Sequence, residues 1–97
     1  MTDFVLINPF EVPEDMDDDR FLEDWGRAAD YMRSRPGFVM SRLHRAVSPD
    51  ARFRFVNVAE WESPQDFQAA VRSPEFQAMA AGTPPSFPAL YEVVRVV

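Results

Sequence analysis

The stretch Phe55-Val56-Asn57-Val58-Ala59-Glu60-Trp61-Glu62-Ser63-Pro64-Gln65-Asp66-Phe67 carries the end of a strand, a helix cap and a first helical turn in unbroken succession. A strand predicted from about Phe53 to Trp61 places Phe53, Phe55, Asn57, Ala59 and Trp61 on one side and Arg54, Val56, Val58 and Glu60 on the other, because strand side chains alternate. Apolar residues stand on both sides. A sheet with one solvated face alternates cleanly to polar residues, so both faces of this strand are expected to be covered. Ser63 then supplies an N-cap hydroxyl, Pro64 fits the first helical position where no N–H is needed, and Asp66 puts a carboxylate at the positive end of the helix dipole.

Working outward, the same punctuation recurs at Ser73-Pro74-Glu75, which predicts that the second helix is broken into two short pieces before Gly82. Thr83 to Pro88 is a proline-containing loop, and Ala89 to Val97 predicts a fourth strand, with Tyr91 and Val93 on one side and Val94 and Val96 on the other. Upstream, Phe38 to Val47 predicts a second strand that joins the third as a hairpin through Ser48-Pro49-Asp50-Ala51. A first helix carries Phe21, Leu22, Trp25, Ala28, Ala29 and Met32 at helical spacing, with acids before it, Arg33 and Arg35 near its end, and a stop at Pro36-Gly37. Phe4-Val5-Leu6-Ile7 predicts a first strand ended by Asn8-Pro9. The order is β-α-β-β-α-β, a ferredoxin-like α+β fold in which one four-stranded antiparallel sheet carries both helices on one face. Covering the bare face with a second copy, which makes a homodimer, is the simplest arrangement.

The chain has 97 residues, which corresponds to a single domain spanning 1–97. Ten arginines against sixteen acids give a net charge of −6, which repels a phosphate backbone and argues against nucleic acid as a partner. Cysteine and lysine are absent and His44 is the lone histidine, so disulfides, thiolate nucleophiles, lysine Schiff bases and imidazole-rich metal sites are not expected. The three glycines Gly26, Gly37 and Gly82 are isolated and make no nucleotide-binding loop. No apolar run is long enough for a membrane span, and the N-terminal segment lacks the basic charge of a signal peptide, so a cytoplasmic protein is expected.

Phe55 to Phe67, together with Pro36-Gly37-Phe38, resembles the antibiotic biosynthesis monooxygenase family of small dimeric α+β barrel proteins, and the likeness covers nearly the whole chain. The resemblance implies that Asn57 and Trp61 line a pocket between sheet and helices, and their spacing of four puts both on one strand face. Where some members carry a tyrosine and an arginine, this sequence has Phe67 and a residue near Gln77. The haem-degrading branch is similar at Asn8 and Trp61, but the segment Phe76-Gln77-Ala78-Met79-Ala80 holds no histidine where its proximal ligand belongs. By residue type alone, Asn8 before Pro9 reads as a turn former, Trp61 is as well suited to a core as to catalysis, and Asn57 needs a hydrogen-bond partner on its apolar face. Which way Arg42 and His44 point is open, since both sides of the second strand mix apolar and polar residues.

The expected activity is a cofactor-independent monooxygenase that joins O₂ to an electron-rich aromatic, a polyketide-like phenol or anthrone, whose carbanion supplies the electrons without metal or flavin. Asn57 and Trp61 are the candidate catalytic residues, with Asn8, Phe55, Phe67, Phe76 and Gln77 as candidate substrate-binding residues. The alternatives are a non-catalytic ligand-binding or pathway-accessory dimer of the same fold, and a polyketide isomerase or cyclase.

Overall fold

The computed structural model describes residues 4–97. Its elements are β1 (Phe4–Phe10), α1 (Asp18–Arg33), β2 (Phe38–Arg45), β3 (Phe55–Trp61), α2 (Pro64–Arg72), α3 (Pro74–Ala80) and β4 (Ala89–Glu92). The sheet has the order β2-β3-β1-β4 with every neighbouring pair antiparallel, which is the ferredoxin-like arrangement.

Local chemistry sets the boundaries. Asp17 caps α1 by accepting from the Arg20 backbone N–H at 2.8 Å, and Ser63 caps α2 by accepting from the Asp66 N–H at 3.1 Å. Ser73 ends α2 and begins α3: its backbone is extended (φ −64, ψ 143), its hydroxyl accepts from the Phe76 N–H at 3.2 Å, and Pro74 has no N–H to continue the ladder. The Tyr31 hydroxyl donates to the same Ser73 oxygen at 2.8 Å, which ties α1 to the break. After α1 the chain turns at Gly37 with φ 85, a left-handed conformation where a Cβ would also overlap the Asp66 carboxylate.

Four strand boundaries differ from expectation, the first two for reasons of pairing. β1 does not stop at Asn8-Pro9 but continues to Phe10, with Pro9 opposite Val56 and Phe10 opposite Phe55. The Pro9 carbonyl accepts from the Phe87 N–H at 3.0 Å, so the ring nitrogen lies on the β4 side and its missing proton costs β1 no bond to β3. β4 ends at Glu92, the partner of Phe4, and Val93–Val97 form no strand; Val94, Val96 and Val97 are almost fully exposed. β2 and β3 are likewise about two residues shorter at the hairpin end than predicted.

Residues opposite one another in an antiparallel pair share a face. Leu6 faces Ala59 and Asn8 faces Asn57 on the helix-covered side, whereas Ile7 pairs with Val58, Pro9 with Val56, and Val5 with Tyr91 on the bare side. Arg42 and His44 pair with Val58 and Val56, so both belong to the bare face. The covered side holds two buried clusters. One is Leu6, Ala59, Trp61, Phe67 and Ala70; the other is Phe10, Phe21 and Phe55, in which Phe21 stacks on Phe55 with ring centroids 4.4 Å apart.

Candidate functional site

Members of both clusters contribute to the wall of one cavity of about 320 Å³ between the sheet and the three helices. The sheet supplies Leu6, Asn8 and Phe10 from β1, Ser41 from β2, and Asn57, Ala59 and Trp61 from β3. Above them, α1 presents Phe21, Asp24, Trp25, Ala28, Ala29 and Met32 at helical spacing, and α2 and α3 add Phe67, Val71, Phe76 and Gln77. A cavity of this size and composition suits a small planar molecule.

The polar groups on the floor form a row across the sheet. Asn8 and Asn57 are register partners on adjacent strands, and the Ser41 hydroxyl donates to Asn57 Oδ1 at 2.5 Å. That bond occupies the acceptor end of the Asn57 amide and leaves its NH₂ as the free group. Beside this row, two buried polar atoms have no partner: Asn8 Oδ1, an acceptor, and Trp61 Nε1, a donor. An unpaired buried polar group costs about 1 to 3 kcal/mol, so these two atoms of cavity-lining residues stand to gain from a polar partner. Trp61 is 4% exposed, and its ring is held edge-on by Phe38 and Phe67, with centroids at 5.3 and 5.8 Å.

Of the residues singled out from the sequence, Asn8, Asn57, Trp61, Phe67, Phe76 and Gln77 all line the cavity. Phe55 does not. It is 2% exposed and lies in the Phe10–Phe21 cluster, where stacking on Phe21 makes it part of the core and not of the lining. The turn reading of Asn8 is corrected by its place inside β1. Asn57 finds the hydrogen-bond partner it needs in a strand neighbour, Ser41. Gln77 donates through Nε2 to the Val71 carbonyl at 2.6 Å, which braces α3 against α2.

Sequence reasoning passed over Ser41, Asp24 and Trp25 as lining residues. Trp25 was already in the apolar stripe of α1, and Ser41 alternates with Leu43 on β2, so the face of each was legible although the partner was not. Asp24 is one acid among several in and before the first half of α1, and only packing shows its 14% side-chain exposure. Among the described residues no three His, Cys, Asp or Glu side chains gather into a metal-binding group. No imidazole, thiolate or phenolate lines the cavity: His44 is on the bare face, Tyr31 lies outside the lining, and Met79 is not part of it either. A haem iron would therefore find none of its usual anionic or imidazole ligands on this wall.

Residues 3–82 match the family model for antibiotic biosynthesis monooxygenases. The chain belongs to this family. The matched region takes in the whole cavity floor and all three helices and stops before β4. A comparison with curated proteins gives no match. Among solved structures, the chain is similar to a protein of Shewanella loihica PV-4 provisionally assigned as a monooxygenase, at 34% identity over 99% of each chain and a TM-score of 0.83. It also resembles SnoaB of Streptomyces nogalater, a cofactor-independent oxygenase, at 24% identity over 100% of this chain and 98% of that one, with a TM-score of 0.81; this likeness is one of fold. MhuD of Mycobacterium tuberculosis, a haem-degrader solved with two haems in its active site, is 28% identical over 97% of this chain and 98% of its own, with a TM-score of 0.70. Among the described residues no helix is long and apolar enough to cross a membrane.

Proposed function

We propose that this family member is a cofactor-independent monooxygenase acting on a small electron-rich aromatic, a polyketide-like phenol or anthrone, in secondary metabolism. The observation that carries the reading is the pairing of an apolar, aromatic-walled cavity with the unsatisfied Asn8 Oδ1 and Trp61 Nε1 beside the Ser41-oriented Asn57 amide. Such a substrate provides its own electrons. Loss of a proton from its ring system gives a carbanion that passes one electron to O₂; the two radicals join and take up a proton as a hydroperoxide, which loses water to leave a ring carbonyl, so one oxygen atom enters the product and the other leaves as water. The protein's part is to keep bulk solvent out, hold the ring flat and stabilise the oxyanion.

In this reading Asn57 donates from its NH₂ to the developing oxyanion, Trp61 donates from its indole N–H and walls the ring, and Asn8 accepts from a ring hydroxyl. Phe67, Phe76 and Gln77 complete the slot, and Phe55 supports it from behind through Phe21. The active unit is a homodimer in the cytoplasm, with the Val56 and Val58 face of each sheet packed on its partner; Val5, Ile7 and Tyr91 extend that apolar face.

One observation favours a second reading. No tyrosine, arginine or histidine lines the cavity, so a phenol proton donor or guanidinium anchor is missing from the wall. That composition also suits a binding or accessory protein, or an isomerase that needs only modest acid–base help. Oxygen uptake by metal-stripped protein with an anthrone separates the three. Uptake above the spontaneous rate supports the oxygenase, anaerobic conversion the isomerase, and tight binding without either the accessory role.

A further inference from the structure

Asp24 is the one ionisable residue among those that line the cavity. It stands on the same face of α1 as Phe21, Trp25 and Ala28, and its side chain is 14% exposed. Arg27 bonds its Oδ1. Its Oδ2 has only Arg20 Nε nearby, at 3.9 Å, which is beyond hydrogen-bond reach and leaves that oxygen without a donor. Both arginines are largely in solvent, at 62% and 71% side-chain exposure, and neither lines the cavity. The remaining polar side chains on the wall are neutral. A ligand therefore meets one carboxylate with open lone pairs and no cation.

Resting on the reading of the cavity as a slot for a polycyclic phenol, we propose that Asp24 determines specificity. Its Oδ2 accepts a hydrogen bond from a ring hydroxyl, and its charge rejects ligands bearing a carboxylate or sulfonate. A hydroxyl bound to an ionised carboxylate makes a hydrogen bond about twice as strong as a neutral pair. An anion placed in the same low-dielectric cavity is repelled with much less screening than in water, because the compensating arginines lie outside the wall. The substrate class is thus a hydroxylated, uncharged ring system.

Trp25 and Trp61 are the two tryptophans of the chain and both line the cavity, so quenching of their fluorescence reads occupancy without any turnover. The probes are 2-hydroxymethylanthraquinone, whose hydroxyl stays protonated at neutral pH, unsubstituted anthraquinone and anthraquinone sulfonate, none of which needs to react. Wild-type protein is expected to prefer them in that order, each step being about tenfold. Asp24→Asn should compress both steps to within about threefold, whereas Asp24→Glu keeps them. Arg27→Gln, which removes a neutralising cation from outside the cavity, should sharpen rejection of the sulfonate. Unchanged ratios in a folded Asp24→Asn protein overturn the proposal, as does an equal loss of affinity for all three probes. If that variant does not fold, an unchanged sulfonate ratio in Arg27→Gln overturns it. Failure of wild-type protein to bind any ring probe defeats the cavity reading and this inference together. Wild-type selectivity that collapses in Asp24→Asn, without oxygen uptake on an anthrone, refutes the oxygenase and upholds the role of Asp24.

Discussion

Removing the Ser41 hydroxyl tests whether the Asn57 amide is held ready for an oxyanion. In Ser41→Ala the 2.5 Å bond to Asn57 Oδ1 is lost, and the amide is free to turn its carbonyl toward the cavity. A side-chain hydrogen bond of this kind contributes about 1 kcal/mol net, so if it serves only to orient the amide, turnover should fall about fivefold. Asn57→Ala deletes the donor itself and should lower turnover by ~10² or more, as for other single oxyanion donors. The two effects are not independent. With no amide left to orient, adding Ser41→Ala to Asn57→Ala should change turnover by less than about twofold. The assay is initial oxygen uptake with an anthrone at saturating concentration, alongside urea unfolding of each variant to separate chemistry from fold. A further fivefold loss in the double variant would show that Ser41 acts on its own, and the orientation argument would fail. If Asn57→Ala leaves turnover of a demonstrated substrate intact while lowering the melting temperature, the amide is a structural tie and nothing more.

Trp61→Phe keeps an aromatic wall but loses the unpartnered indole N–H, so ring-ligand affinity should drop with little change in melting temperature; Trp61→Ala, which empties a 4%-exposed site between Phe38 and Phe67, should cost about 3 to 5 kcal/mol in urea unfolding. Val58→Asp places a charge in the centre of the bare sheet face and should convert the expected dimer to monomer in sedimentation; a wild-type monomer at micromolar concentration would remove the premise. Oxygen uptake should survive prolonged EDTA treatment, since no cluster of metal-ligating side chains is found among the described residues, and activity restored by one particular metal would overturn that expectation.

The sequence by itself determined the order and type of the elements, because the signals that set them act over a few residues. Ser63-Pro64 and Ser73-Pro74 start helices through their own hydroxyls and missing N–H groups, Gly37 turns the chain where other residues strain, and the alternation from Phe55 to Trp61 puts Asn57 and Trp61 on one face whatever they pack against. Pairing across long separations could only be decided by the tertiary structure. Register set Asn8 beside Asn57 and carried β1 through Pro9, because β1 pairs with β4 only as far as Ile7 and Ala89, short of the proline's absent donor. The same register sent Arg42 and His44 to the bare face and brought the Ser41 hydroxyl onto Asn57. Phe55 and Trp61 are both aromatic residues on one side of β3 and look equivalent in the sequence, yet Phe21 of α1 covers the first and the cavity opens at the second. Asp24 is one acid among several around the start of α1 until helix packing turns it toward the wall. Helical and strand periodicity fixes which face a side chain takes, and only the docking of α1, α2 and α3 on the sheet fixes what that face meets.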